Sequence, residues 1–166
     1  MAPLRGNRVV EIGAVEIVNR TLTLRRFHSY LNCGRESDPE SLAMHGLPRK
    51  FLANKPHFFQ IAEDFGDFLY GAVLVAQPCE WTITFLDREL ELANMPPTST
   101  HIARVEDVVE LAARRYHGRV TLNTLCARYG IRQPTSMNGT LLDSWMLGKA
   151  YLALTRNRSL LQMQEQ

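Results

Sequence analysis

A mixed β-sheet with helices packed over it is the fold class predicted by this 166-residue sequence. Two observations carry that expectation. Residues 9–31 hold two β-branched segments separated by a turn, the signature of a hairpin. The full order of elements, β-β-α-α-β-α-β-α-α-α, leads that hairpin into a crossover through a helix, which places the class as α/β. The length suits one ordinary domain with a sizeable core.

The first segment, "VVEIGAVEIV" (9–18), sets Val10, Ile12, Ala14 and Ile17 against Glu11 and Glu16 and reads as a strand. "NRTLT" is a turn and "LRRFHSYL" a second strand. "SDPESLAMHG" carries helix punctuation: Asp38 as N-cap, Pro39 at the first helical position, Gly46 just past the end. A longer helix follows Pro56, with Phe58, Ile61, Phe65, Phe68 and Leu69 on one face and Gly71 closing it. The short apolar run "AVLVA" (72–76) predicts a strand buried on both faces. Trp81 to Ala93 predicts a helix, with Glu80, Thr84, Asp87, Arg88 and Glu91 on its polar side. "MPPTS" breaks the chain, and "HIARV" predicts a further strand. Helices follow at 106–116, at 121–129 (Thr121 as N-cap, Gly130 past the end) and at 140–155. Residues 1–155 form the expected domain, and 156–166 a short frayed tail.

Composition excludes several function classes. The formal net charge is +2, so no strong global field favours nucleic acid, although short basic pairs such as Arg114–Arg115 are present. No apolar run reaches the roughly 18–20 residues of a membrane helix, and no leader pattern opens the chain. Cys33, Cys79 and Cys126 are odd in number and lack CxxC spacing, which fits reduced thiols in a cytoplasmic protein. There is no phosphate loop, HExxH zinc pair or GxSxG elbow. The five histidines lack metal-ligand spacing.

Asp143 stands apart in "MNGTLLDSWMLGKAYLALT" (137–155). Met146, Leu147, Ala150 and Leu154 follow it at helical steps, so the pattern predicts a carboxylate on an apolar face. Such a charge needs a partner, because losing one partner of a buried pair costs about 3–5 kcal/mol.

Five blocks, "VVEIGAVEIVNRTLT", "FHSYLN", "DPESLAMHGL", "LCARYGI" and "NGTLLDSWMLGKAYLALT", together resemble the proofreading exonuclease domain of bacterial DNA polymerase III epsilon subunits, the DnaQ-like, DEDDh group of 3′–5′ exonucleases. The resemblance covers about residues 6–155. It implies a ribonuclease-H-like mixed sheet flanked by helices. It also implies a site in which four carboxylates hold two divalent ions, Mg2+ or Mn2+, that activate water at a DNA 3′ end. A histidine before the last helix serves there as general base.

Carried over residue by residue, the resemblance puts Asp143 at the fourth carboxylate, the metal ligand that is retained. Thr82, in "QPCEWT", occupies the third carboxylate's position, and Asn138, in "NGTLLD", that of the histidine. The first two carboxylates belong to a DxE motif on a first, central strand. "MAPLRGNR" resembles the loop after that strand, so the strand itself is missing from this chain. Its absence implies either a gap in the sheet or direct pairing of 9–18 with 72–76, a marginal or partner-dependent stability, and an Asp143 that is water-exposed or arginine-paired. His45, in "AMHGL", matches a segment bordering the nucleotide cleft, where it either touches a base or sugar or simply ends a helix before Gly46.

The expected function is thus that of an epsilon relative with little or no catalysis. The alternatives are a non-catalytic module binding polymerase or a DNA 3′ end, and a remnant without activity. Implied partners are a single-stranded DNA 3′ end, the polymerase III catalytic subunit and a small accessory subunit; no membrane is implied. The family's tail reaches the sliding clamp, and "SLLQM" in this tail is only weakly similar to a clamp-binding peptide.

Overall fold

The computed structural model describes residues 6–118 and 120–156. Expectations for residues 1–5 and for the tail beyond Arg156, including "SLLQM", lie outside the described residues. The element order is β1 (Glu11–Val18), β2 (Thr21–Tyr30), α1 (Pro39–His45), α2 (Arg49–Leu52), α3 (Phe58–Leu69), β3 (Val73–Ala76), α4 (Cys79–Leu92), α5 (Thr98–His101), β4 (Arg104–Asp107), α6 (Val108–Tyr116), α7 (Leu122–Tyr129) and α8 (Gly139–Leu154). This is the α/β class expected, with two one-turn helices, α2 and α5, added.

Among the described residues the strands form two separate two-stranded ladders, β1 with β2 and β3 with β4. Of the two arrangements expected around 9–18 and 72–76, direct pairing is not the one adopted. The β1–β2 turn is tighter than the five residues read from sequence. Asn19 and Arg20 both sit at positive φ, 48° and 60°, the geometry of a two-residue turn whose twist suits a hairpin. Gly71 N–H donates to His101 O and Ala103 N–H to Ala72 O, both at 2.8 Å. Register therefore rises along both chains together, as in a parallel pair joined by a helical crossover. Val73, Leu74 and Val75 are half-buried and only Ala76 is buried, so β3 is less enclosed than its composition suggests.

The chain divides into two compact units, one of Met1–Ile12, Phe27–Leu74 and Cys79–Val105, the other of Gly13–Arg26, Val75–Pro78 and Glu106–Gln166. In the first, Ile12, Leu31, Phe58, Ala62, Phe65, Leu69, Leu86 and Leu90 form the core. Phe58, Ala62, Phe65 and Leu69 lie along one face of α3 at three- and four-residue steps, and the Phe27 ring tilts against Phe65 at 5.0 Å. Each large apolar side chain buried there contributes about 1.5–3 kcal/mol. Asp38 caps α1 by accepting from Ser41 N–H at 2.8 Å, and Gly46 closes it in the left-handed region at φ 68°. Those Ser41 bonds hold the Asp38 carboxyl below its ordinary range.

In the second unit, Val108, Ala112, Val120, Leu125, Ala150 and Leu154 form the core, with α8 packed on α6 and α7. Thr121 caps α7 and Gly130 ends it at φ 63°. At Gly13 the backbone of β1 meets α8 so closely that a Cβ would lie 2.4 Å from the Thr140 carbonyl carbon. Only glycine fits there. The Ser144 hydroxyl fastens the approach, within reach of Gly13 O (2.5 Å) and Thr140 O (2.8 Å).

Candidate functional site

α8 corrects the reading of Asp143 as a residue on a buried apolar stripe. Apolar residues surround most of this helix, so burial does not follow one stripe. Its buried positions are Leu141, Met146, Gly148, Ala150 and Leu154, whereas Leu142 and Leu147 are half-buried and Asp143 is exposed. Gly148 is buried because the hairpin crosses it, and a Cβ there would lie 3.1 Å from Leu22. Asp143 therefore keeps solvent on one side, and its charge is not one the core has to neutralise.

Asn138 is the N-cap residue of α8 by position, with φ −146° and ψ 175°, but its side chain makes no capping hydrogen bond. It is exposed, like Asp143. Both belong to the second unit, at the start of one helix.

Thr82 and His45 belong to the first unit. Thr82 is half-buried in the first turn of α4, which follows β3 through a cis Gln77–Pro78 peptide. His45 is the last residue of α1, and both of its ring nitrogens are engaged locally. Nδ1 accepts from Leu47 N–H at 2.9 Å, and Nε2 lies 3.1 Å from Ser37 Oγ. A nitrogen that accepts from a backbone N–H carries no proton, so the ring is neutral with its proton on Nε2. Burial pushes its pKa down, partly opposed by Asp38 and Glu11.

Glu89, one of three acids near Thr82 in sequence that could stand in for the missing carboxylate, is a buried carboxylate of the first unit. It is 2% exposed, and Arg8 meets it bidentately, Nε to Oε1 and Nη2 to Oε2, each at 2.7 Å. Val9 N–H adds a third bond at 3.0 Å. The bond from Glu89, ahead of the opposing burial, holds Arg8 above its ordinary pKa. Asp87 accepts from Thr98 N–H at 2.7 Å. The available signal was Glu89's place beside Leu86 and Leu90 on α4, away from Glu80 and Glu91.

A cavity of about 590 Å³ lies in the first unit, lined by Gly6, Asn7, Arg8, Arg35, Thr84, Arg88 and Leu92. Neither Thr82 nor His45 lines it. Arg8 is spent on Glu89, Arg88 pairs with Glu91 at 2.5 Å, and Arg35 donates to Gly6 O. Among the described residues, no group of three or more His, Cys, Asp or Glu is gathered to hold a metal ion, and no helix is long and apolar enough to cross a membrane.

The chain resembles known proteins at two levels. Two solved structures share its fold over 90% of this chain. One is an exonuclease X in complex with 5′ overhanging duplex DNA, with TM-score 0.68 and 17% identity over 83% of that chain. The other is the nuclease domain of 3′hExo, a DEDDh family member bound to rAMP, with TM-score 0.69 and 13% identity over 82% of that chain. At those identities the likeness is one of fold alone. In sequence, the chain is 40% identical to the DNA polymerase III subunit epsilon of Escherichia coli K12 over 158 residues, 93% of this chain and 65% of that protein. It is 34% identical to the Rickettsia typhi subunit epsilon over 159 residues, 94% of this chain and 69% of that protein. The chain thus spans about two thirds of the length of these relatives. A family model described as "Exonuclease" matches residues 2–136, and Asn138 and Asp143 follow its end. From that match and these identities, the chain belongs to the exonuclease family, in the group of the DNA polymerase III epsilon subunits.

Proposed function

We propose that residues 1–155 are an epsilon-type exonuclease domain that has kept the fold and lost efficient catalysis. The observation that carries the reading is the chemistry at three positions. Thr82 offers a hydroxyl where the family's scheme calls for a carboxylate, and Asn138 offers an amide where it calls for a basic imidazole. Asp143 is the one charged group retained among them. Two dications about 3.5–4 Å apart repel each other unless several carboxylates neutralise them. Of these three positions only Asp143 carries a charge, so together they do not fit their share of a two-metal centre of Mg2+ or Mn2+.

Neighbouring acids do not restore the set. Both oxygens of Glu89 face Arg8, and Asp87 holds the start of α5. An amide at the general-base position also forgoes about 10²–10⁴-fold of rate. What the domain retains is a surface, and we assign it a binding role at a single-stranded DNA 3′ end, or towards the polymerase III catalytic subunit and its small accessory subunit, in the cytoplasm.

Mn2+ binding followed by electron paramagnetic resonance tests the metal part of this reading. No saturable site is expected below millimolar Mn2+. Saturable micromolar binding that disappears in Asp143→Ala would overturn it. Pull-down with the polymerase catalytic subunit tests the binding role.

A further inference from the structure

Residues 108–132 contain five arginines (Arg114, Arg115, Arg119, Arg128 and Arg132) and a single carboxylate, Glu110. That carboxylate is already engaged, since Arg114 Nη2 donates to Glu110 Oε2 at 3.1 Å. Two of the other arginines are held by uncharged groups instead. Arg128 lies over the Tyr116 ring, its guanidinium carbon 3.9 Å from the centroid. The Arg115 guanidinium carbon lies 6.0 Å from the same centroid, and its Nη1 donates to Leu154 O at 2.7 Å. Both arginines are exposed.

Two like charges therefore gather around one ring. A phenolate could offset them, but burial and the 2.5 Å bond to the Tyr116 hydroxyl push Tyr129 up to about 12, and it stays neutral. The C-terminal dipoles of α6 and α7 favour cations there, but they provide no counter-ion. Stacking on Tyr116 holds the Arg128 guanidinium and the bond to Leu154 O that of Arg115, and among the described residues most of their five N–H donors have no acceptor. A rigid planar fork with free edge donors matches the oxygens of a phosphate bidentately.

We propose that Arg115 and Arg128, held around the Tyr116 ring, form a subsite for the phosphodiester backbone of a single-stranded nucleic acid. The choice of nucleic acid over an acidic protein rests on the binding role proposed above. The subsite itself needs no metal and none of Thr82, Asn138 or Asp143. It lies on α6 and α7, and it anchors a strand by its backbone rather than reading its bases.

The test is fluorescence anisotropy of a 5′-labelled oligothymidylate of about 15 nucleotides with the full chain. EDTA is present throughout, so that cleavage plays no part. Arg128 carries the test because Arg115 also ties down the end of α8. At about 50 mM salt Arg128→Gln should weaken binding by about five-fold or more, and it should flatten the slope of log K against log salt by about 0.7. Arg128→Glu should weaken binding further, and Arg128→Lys should keep the wild-type slope. Arg25→Gln, at an exposed arginine paired with Glu16, should change affinity by less than about two-fold. Circular dichroism checks that each variant is folded.

Three results would each overturn the proposal. The Arg128 variants could bind as wild type does, the wild-type chain could fail to bind the oligonucleotide at about 50 mM salt, or polyglutamate of equal charge could displace it as well as unlabelled oligonucleotide does. Any of these would leave the reading of the altered catalytic positions standing, because that reading is tested by metal binding and cleavage.

Discussion

Glu89 illustrates what a carboxylate needs in order to be buried: two guanidinium donors and one backbone N–H, arranged so that both oxygens are met. Arg8→Met strands the buried Glu89 charge and should cost about 3–5 kcal/mol, read from the urea midpoint, whereas Glu89→Ala leaves an Arg8 that reaches solvent. The double change Arg8→Met with Glu89→Leu should cost less than Arg8→Met alone, since no unpaired charge is left behind. Asp143→Ala, at an exposed position, should cost no more than about 1 kcal/mol. His45 adds a pH dependence. Its pKa is lowered in the folded state, so between that value and the unfolded 6.5 the unfolded chain binds more protons. This contribution to stability is complete above 6.5 and is lost as pH falls below it. An imidazole titration followed by NMR should give His45 a midpoint below that of an unfolded peptide, and His45→Gln should remove this part of the acid sensitivity. At this scale the caps Asp38 and Thr121 were legible in sequence, because a cap is a local bond between residues three apart. The Arg8–Glu89 pair was not, because its partners are 81 residues apart.

Elements were legible where their punctuation was local, and they shifted where packing decided. α1 and α7 begin and end where Asp38, Gly46, Thr121 and Gly130 place them. "HIARV" was read as a strand, yet His101 ends the one-turn helix α5 and β4 starts at Arg104. Five residues carry too short a pattern to separate a turn of helix from a strand. α8 misled more seriously. Its apolar residues surround the axis, and a stripe argument fails on a helix that is apolar on several sides. Gly13 is the element-scale residue that sets how closely β1 meets α8. Gly13→Ala drives a Cβ into the Thr140 backbone, which cannot rotate away as a side chain would. It should destabilise by about 1–3 kcal/mol or more, read from thermal unfolding. Ser144→Ala, which removes a hydroxyl bond and adds no bulk, should cost about 0.5–1.5 kcal/mol.

At the scale of the molecule, the order of elements placed the α/β class, and the family resemblance, whose five blocks span nearly the whole chain, narrowed it to a ribonuclease-H-like sheet. The sequence offered Arg114–Arg115 as a basic pair but did not single out Arg128 beside Arg115, since a net charge of +2 conceals a local excess of five arginines over one glutamate. The proposed function has carboxylate charge lost at Thr82 and basicity lost at Asn138, and that proposal has a consequence for repair. Asn138→His restores one imidazole but no carboxylate, so it should not by itself produce robust cleavage. The measurement that tests the account most directly is nucleotide release from a 3′-labelled single-stranded oligonucleotide in Mg2+ or Mn2+, comparing the wild-type chain with Asp143→Ala. No metal-dependent release above background is expected from either protein. Steady release by the wild-type chain that requires the metal and disappears in Asp143→Ala would contradict it.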